Sequence, residues 1–190
     1  MSSPIGHSLA GLIISSWREK TFNPRNFKIL ALYVFIANVP DLDFIPGMIM
    51  GKPNLYHHGI SHSFGAAVLF SLVLAILINW ISGKRFWREF VFMFSLYASH
   101  LFLDLISYDG RPPFGIPVFW PFSERYFMIP ILPPVKHSQL DHANIAQFLT
   151  DVFSAHNLYV ISLEVVLTVP FALLLIWLFH KHNYKEDVSL

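Results

Sequence analysis

Histidines and carboxylates recur in this chain in short clusters: His7, Asp41 with Asp43, His57 with His58 and His62, His100 with Asp104, and His137 with Asp141 and His142. Imidazole nitrogens and carboxylate oxygens are the donors that zinc and related divalent ions take. His100 and Asp104 stand four residues apart, so on a helix they share one face and offer a nitrogen and an oxygen to one ion. A His–Asp hydrogen bond stapling a helical bundle would use the same pair. In NVPDLD (residues 38–43) Pro40 ends a helix and two carboxylates follow, either as hard ligands or as an ordinary capped turn. Three histidines in HHGISH (57–62) exceed what a helix start with Ser61 or Ser63 as N-cap requires. His58 and His62 would lie one turn apart if that helix began early, and Gly59 would allow a tight turn that swings His57 and His62 inward. Hydrolysis at a metal needs three or four protein ligands and room for water. The candidates for that set are His7, Asp41, His57, His62, His100 and Asp104. Asp43 and Glu164 are candidates to orient ligands or act as general base. His137, Asp141 and His142 form a looser cluster on a stretch that also reads as a solvated surface face.

The elements that must position these residues are membrane helices. Of the 190 residues 54% are hydrophobic and 13% charged, with mean hydropathy +0.51, where soluble domains carry about a quarter charged residues. The length suits one domain, 1–190, and the fold class is an all-α polytopic bundle of four or five membrane helices. Apolar stretches run over 5–17, 27–39, 64–82, 88–107 and 158–179. The first two are short for independent spans and suit a tilted hairpin or a re-entrant helix. The proline- and aromatic-rich loop after Ile106 disfavours helix and central strand, and its aromatics suit a headgroup belt. If all five segments cross, nine Lys and Arg fall on one side and Lys52, Arg111, Arg125 and Lys136 on the other. All five ligand clusters share the poorer side, which the positive-inside rule places outside. The absence of cysteine excludes thiolate ligands and nucleophiles. A net charge of +1 with dispersed basic residues excludes a nucleic-acid footprint. Met1–Gly6 lacks the basic start of a cleavable signal peptide, so Met1 onward is expected in the mature protein.

The motifs PDLD (40–43), HHGISHS (57–63), SHLFLDL (99–105) and GRPPFGIPVFWPFS (110–123), with His7-Ser8, resemble the YdjM-like family. It is also described as LexA-binding, inner-membrane-associated, metal-dependent hydrolases. The resemblance covers roughly the first 127 residues and departs from the usual arginine at His58. The order His, Asp, His, then His-x-x-x-Asp is similar, at greater distance, to bacterial zinc-dependent phospholipase C. It falls here on His7, Asp41, His62, His100 and Asp104. The two resemblances imply a divalent metal, zinc first with manganese or magnesium as alternatives. They imply attack of metal-activated water on a phosphoester of a membrane lipid or lipid-linked substrate, with Arg111 and Arg125 as phosphate partners. They also imply the inner membrane of a prokaryote and a protein regulator as a further partner. Two other functions would use the same residues. A metal transporter should carry polar residues across the whole bilayer, whereas the span 64–82 has no charge. A non-catalytic interaction protein would bind its partner whether or not the ligands were intact.

Overall fold

Backbone polar groups inside a bilayer find no water, so apolar spanning segments must satisfy them internally as helices. The computed structural model describes residues 2–16, 18, 26–51, 55–110, 112–133 and 154–166, and these are helical with no strand. Helix α1 (Pro4–Ser15) begins at Ser3, whose side chain accepts from the Gly6 amide, with Pro4 in the first turn. Helix α2 (Phe27–Ala37) passes into a 3-10 turn, Val39–Asp43, and the short helix α3 (Phe44–Ile49). Helix α4 (Phe64–Ser82) is capped by the Ser63 side chain and ends on left-handed Gly83. Helix α5 (Phe86–Ile106) follows, and residues 155–166 are again helical.

Among the described residues α4 and α5 are long and apolar enough to cross a membrane. A third span arises if α2 and Val39–Ile49 are taken as one helix bent by 61°. The 12 residues of α1 rise about 18 Å, short of the ~30 Å hydrocarbon core. The expected segment 158–179 is described only to residue 166. One expectation is corrected here. Pro40 does not end helical structure for good, because it occupies the first turn of the 3-10 segment, where its missing N–H costs nothing. The stretch expected to be loop from Pro40 therefore carries α3 and a second 3-10 turn, Ile60–His62.

The central helix is α5, which touches α1, α2 and α4. Its buried residues Phe92, Met93, Leu96, Tyr97, His100, Leu101 and Asp104 recur at helical spacing. Against it α4 presents Ala67, Ser71 and Ala75, small residues four apart that let two backbones approach. The opposite face of α4 exposes Leu69, Leu72, Ile76 and Trp80, a surface suited to lipid. The aromatic loop after α5 forms isolated bridges, Ser107 with Leu132 and Ile116 with Phe127. It contributes buried Ile116, Val118 and Leu132 to the core, while Phe114, Phe119 and Phe122 stay exposed.

That loop is fastened to the start of α4 by Phe64 N donating to the Val118 carbonyl (2.9 Å) and Gly65 N to that of Trp120 (3.2 Å). A Cβ at residue 65 would run into the Trp120 carbonyl oxygen and lie 2.8 Å from Pro121 Cδ. Glycine to alanine inside a helix ordinarily gains about 1 kcal/mol. Here overpacking against fixed backbone costs about 1–3 kcal/mol, so Gly65→Ala should lower the melting temperature in detergent. An unchanged or raised midpoint would show that the loop yields.

Candidate metal centre

Four helix ends meet at one end of the bundle: the start of α1, the end of α2, the start of α4 and the end of α5. They bring together ligand types that are distant in sequence. His100 Nε2 lies 3.4 Å from Asp41 Oδ1, 3.1 Å from Asp104 Oδ2 and 3.3 Å from His62 Nε2. His62 Nε2 lies 3.6 Å from Asp41 Oδ1 and 3.4 Å from Asp104 Oδ2. A tetrahedral ion with ligands at about 2.0–2.1 Å has donor–donor edges of about 3.3–3.4 Å. Five edges of the polyhedron formed by Asp41, His62, His100 and Asp104 thus match a tetrahedral cage, and the four could hold one metal ion. Asp104 Oδ2 is buried without a hydrogen-bond partner, a costly condition that a cation relieves.

The surrounding residues set which nitrogen faces the cage. His100 Nδ1 donates to the Ala37 carbonyl (2.9 Å), which leaves its Nε2 lone pair inward. His62 Nδ1 is 3.1 Å from Asp43 Oδ2, again turning Nε2 to the centre. Asp43 takes His57 Nδ1 on its other oxygen, Oδ1, at 2.9 Å, and Oδ2 also accepts from the Ser61 hydroxyl at 2.8 Å. It therefore orients two imidazoles, and both its oxygens are engaged. The Tyr97 hydroxyl donates to the Ser61 carbonyl (2.7 Å) and ties this loop to α5. Burial pushes the His57 imidazole down to about 3, against the pull of Asp43, so it is a neutral donor at ordinary pH. Burial also disfavours charge on His62, but Asp104, Asp41 and Asp43 outweigh it and raise that group well above the usual range. A divalent ion would take the place of that proton.

Losing Asp43 should loosen the centre without removing a cage ligand. Outer-shell partners are typically worth 10–100-fold in metal affinity, so Asp43→Ala should weaken binding by roughly that factor in a chelator competition. Affinity equal to the parent's would deny Asp43 this orienting part.

His7 flanks the cage rather than closing it. Its ring stacks on His100 at 3.5 Å, and Nε2 is 3.6 Å from Asp104 Oδ1. The chain start is threaded into the same place, with Ser2 N donating to Asp104 Oδ1 at 3.0 Å. Glu164, expected as ligand-orienting group or base, accepts from Ser3 N at 2.8 Å and from the Ser3 hydroxyl. It supports the start of α1, where a carboxylate also suits the helix dipole. Arg125 is exposed on the loop after α5, and no bond joins it to the cage among the described residues. Arg111, His137, Asp141 and His142 lie outside the described residues.

The turn geometry differs from expectation. Gly59 has φ −77°, whereas His58 takes the left-handed conformation with φ 64°, at a cost on the order of 1–2 kcal/mol for a non-glycine residue. Helix α4 starts only at Phe64, so His58 and His62 do not share a helix. His58 is buried, and its Nδ1 is 2.9 Å from Asp109 Oδ2. Asp109 was not singled out by the sequence; its only signal was a carboxylate two residues past the end of an apolar stretch.

The family described as YdjM inner membrane protein matches residues 1–184. The Inner membrane protein YdjM of Escherichia coli (strain K12) is 31% identical over 105 residues, which cover 54% of this chain and 49% of that protein. The protein of the same name from Shigella flexneri matches to the same extent. The chain thus spans about half the length of the curated relatives it matches. No solved structure matches it. The phospholipase C likeness gains no support from these matches.

Proposed function

Because this chain belongs to the YdjM inner membrane protein family, and its His and Asp side chains gather at one end of a membrane bundle, we propose that it is a membrane-bound metal-dependent hydrolase. Its substrate is a phosphoester of a lipid or lipid-linked molecule. The observation that carries this reading is the cage of Asp41, His62, His100 and Asp104, with donors 3.1–3.6 Å apart. When bound, a divalent ion supplies Lewis acidity and lowers the pKa of water toward neutrality. The chain's own residues hold and aim the donors: Ala37 through His100, Asp43 through His62, and Ser2 through Asp104. Asp41 is the partly exposed ligand, its side chain 21% accessible, and it marks the side from which substrate enters.

A lipid substrate is favoured by what surrounds that entrance. Ile45, Met48 and Ile49 follow Asp43 directly, Leu55 and Tyr56 precede His57, and Ile60 separates His58 from His62; all are exposed. An apolar rim around polar ligands suits a headgroup ester whose chains remain in the membrane. Arg18, Lys84, Arg85 and Arg88 belong to the other end of the bundle, so the positive-inside rule places the cage at the outer face.

The test is headgroup release from phospholipid–detergent micelles by the purified, metal-loaded chain, compared with a soluble nitrophenyl phosphodiester. Metal-dependent release, preferred for lipid and lost in Asp41→Ala, is expected. Failure of the metal-replete protein to cleave any phosphoester in either form would overturn the reading.

A further inference from the structure

Taking the reading that Asp41, His62, His100 and Asp104 hold one divalent ion, we infer that His57 and His58 hold a second ion beside it. Each of these rings is tied at Nδ1 to a carboxylate at 2.9 Å, His57 to Asp43 and His58 to Asp109. That bond assigns the proton to Nδ1 and leaves a lone pair on Nε2. Both Nε2 atoms are buried and have no hydrogen-bond partner; the side chains are 3% and 4% exposed. Two orphaned acceptors in one cluster are unusual in a folded protein. The two ring centroids are 4.3 Å apart, and ring nitrogens of His57, His58 and His62 lie within 4.8 Å of one another.

Charge decides what these lone pairs receive. Asp41, Asp43, Asp104 and Asp109 all border the cluster. Ligating imidazoles are neutral, so the carboxylates around them favour a cation at this largely buried cluster. An anion such as phosphate would meet acceptors and carboxylates here, not donors. Asp41 belongs to one ligand grouping with His62, His100 and Asp104 and to another with His57 and Asp43. It therefore stands between the first cage and the His57 ring. The left-handed backbone of His58 is a further sign, since strain of this kind persists where the surrounding structure holds it for a purpose. Two ions at neighbouring seats would clamp the attacking and leaving oxygens of a phosphoester.

The experiment is manganese and zinc stoichiometry of the full chain in detergent, by plasma mass spectrometry, for the parent, His58→Ala and His58→Arg. Two equivalents are expected in the parent and one in either variant, because the first cage is untouched. The arginine variant still pairs with Asp109 but has no lone pair to offer, and it carries the test if the alanine variant does not fold. Independently of any variant, the manganese-loaded parent should give an exchange-coupled paramagnetic resonance spectrum. One equivalent in parent and variants alike, with an isolated-ion spectrum, would overturn the second seat and leave the first. No metal in the parent would overturn both.

Discussion

Asp104→Ala is expected to cost the protein the ion of the Asp41, His62, His100 and Asp104 cage while leaving the bundle inserted. Asp104 is 3% exposed and offers Oδ2 to the cage within 3.1 Å of His100 Nε2 and 3.4 Å of His62 Nε2. Its other oxygen accepts from Ser2 N, so the substitution also frees the chain start. Removing an oxygen that faces two ligand nitrogens should exceed the 10–100-fold loss typical of outer-shell changes, so an effect beyond about 100-fold is expected. The fold itself has less to lose, because an uncompensated buried carboxylate opposes folding when no cation balances it. Two readouts separate these effects. Added zinc or manganese should raise the parent's melting temperature, since a ligand that binds only the folded state stabilises by mass action. The variant should melt as a single species and gain less from the metal than the parent. Equal metal content in the two proteins would remove Asp104 from the cage, and a variant recovered only as aggregate would give it a structural part instead.

The residues at this centre were legible in the sequence because their types and positions are strong local signals. Four-residue spacing places His100 and Asp104 on one face of α5, and the alternating direction of apolar segments carries His7, Asp41 and His62 to the same end. Helix α4 was readable to the residue, since an uncharged stretch bounded by Ser63 and Gly83 admits little else. The parts expected of Asp41 as ligand and Asp43 as orienting group also agree with the geometry, which the 3-10 turn after Asn38 sets. What escaped depends on tertiary contact. Glu164 reads as an intramembrane acid with a chemical task, and its hydrogen bonds to Ser3, 161 residues away, could not be read from the sequence. The His58–Asp109 pair needs a left-handed backbone at a histidine beside a glycine, and local preference assigns that conformation to the glycine.

Arg18 shows the same limit at the far end of the bundle, and there the second large effect is expected. In the sequence it is one of the basic residues that set orientation. In the structure its guanidinium grips Glu89 with two bonds, 2.7 Å to Oε2 and 2.5 Å to Oε1, and lies 4.9 Å from the Phe92 ring centroid. Glu89 stands in the first turn of α5 and is 1% exposed. Arg18→Ala therefore strands a buried carboxylate against apolar helices. Breaking such a pair from one side costs about 3–5 kcal/mol, whereas replacing both partners by apolar residues of similar size is often neutral. Unfolding in detergent should show the large loss in Arg18→Ala and most of it restored in Arg18→Met with Glu89→Met. Arg18→Lys should fall between, because a single ammonium cannot reproduce the two-pronged grip. Residues 89 and 104 are about 22 Å apart along α5. Metal content of the folded fraction should thus stay at the parent's level in all three variants. Parent-like stability in Arg18→Ala would mean that Glu89 finds water or another cation, and the far end of the bundle would then be open rather than sealed.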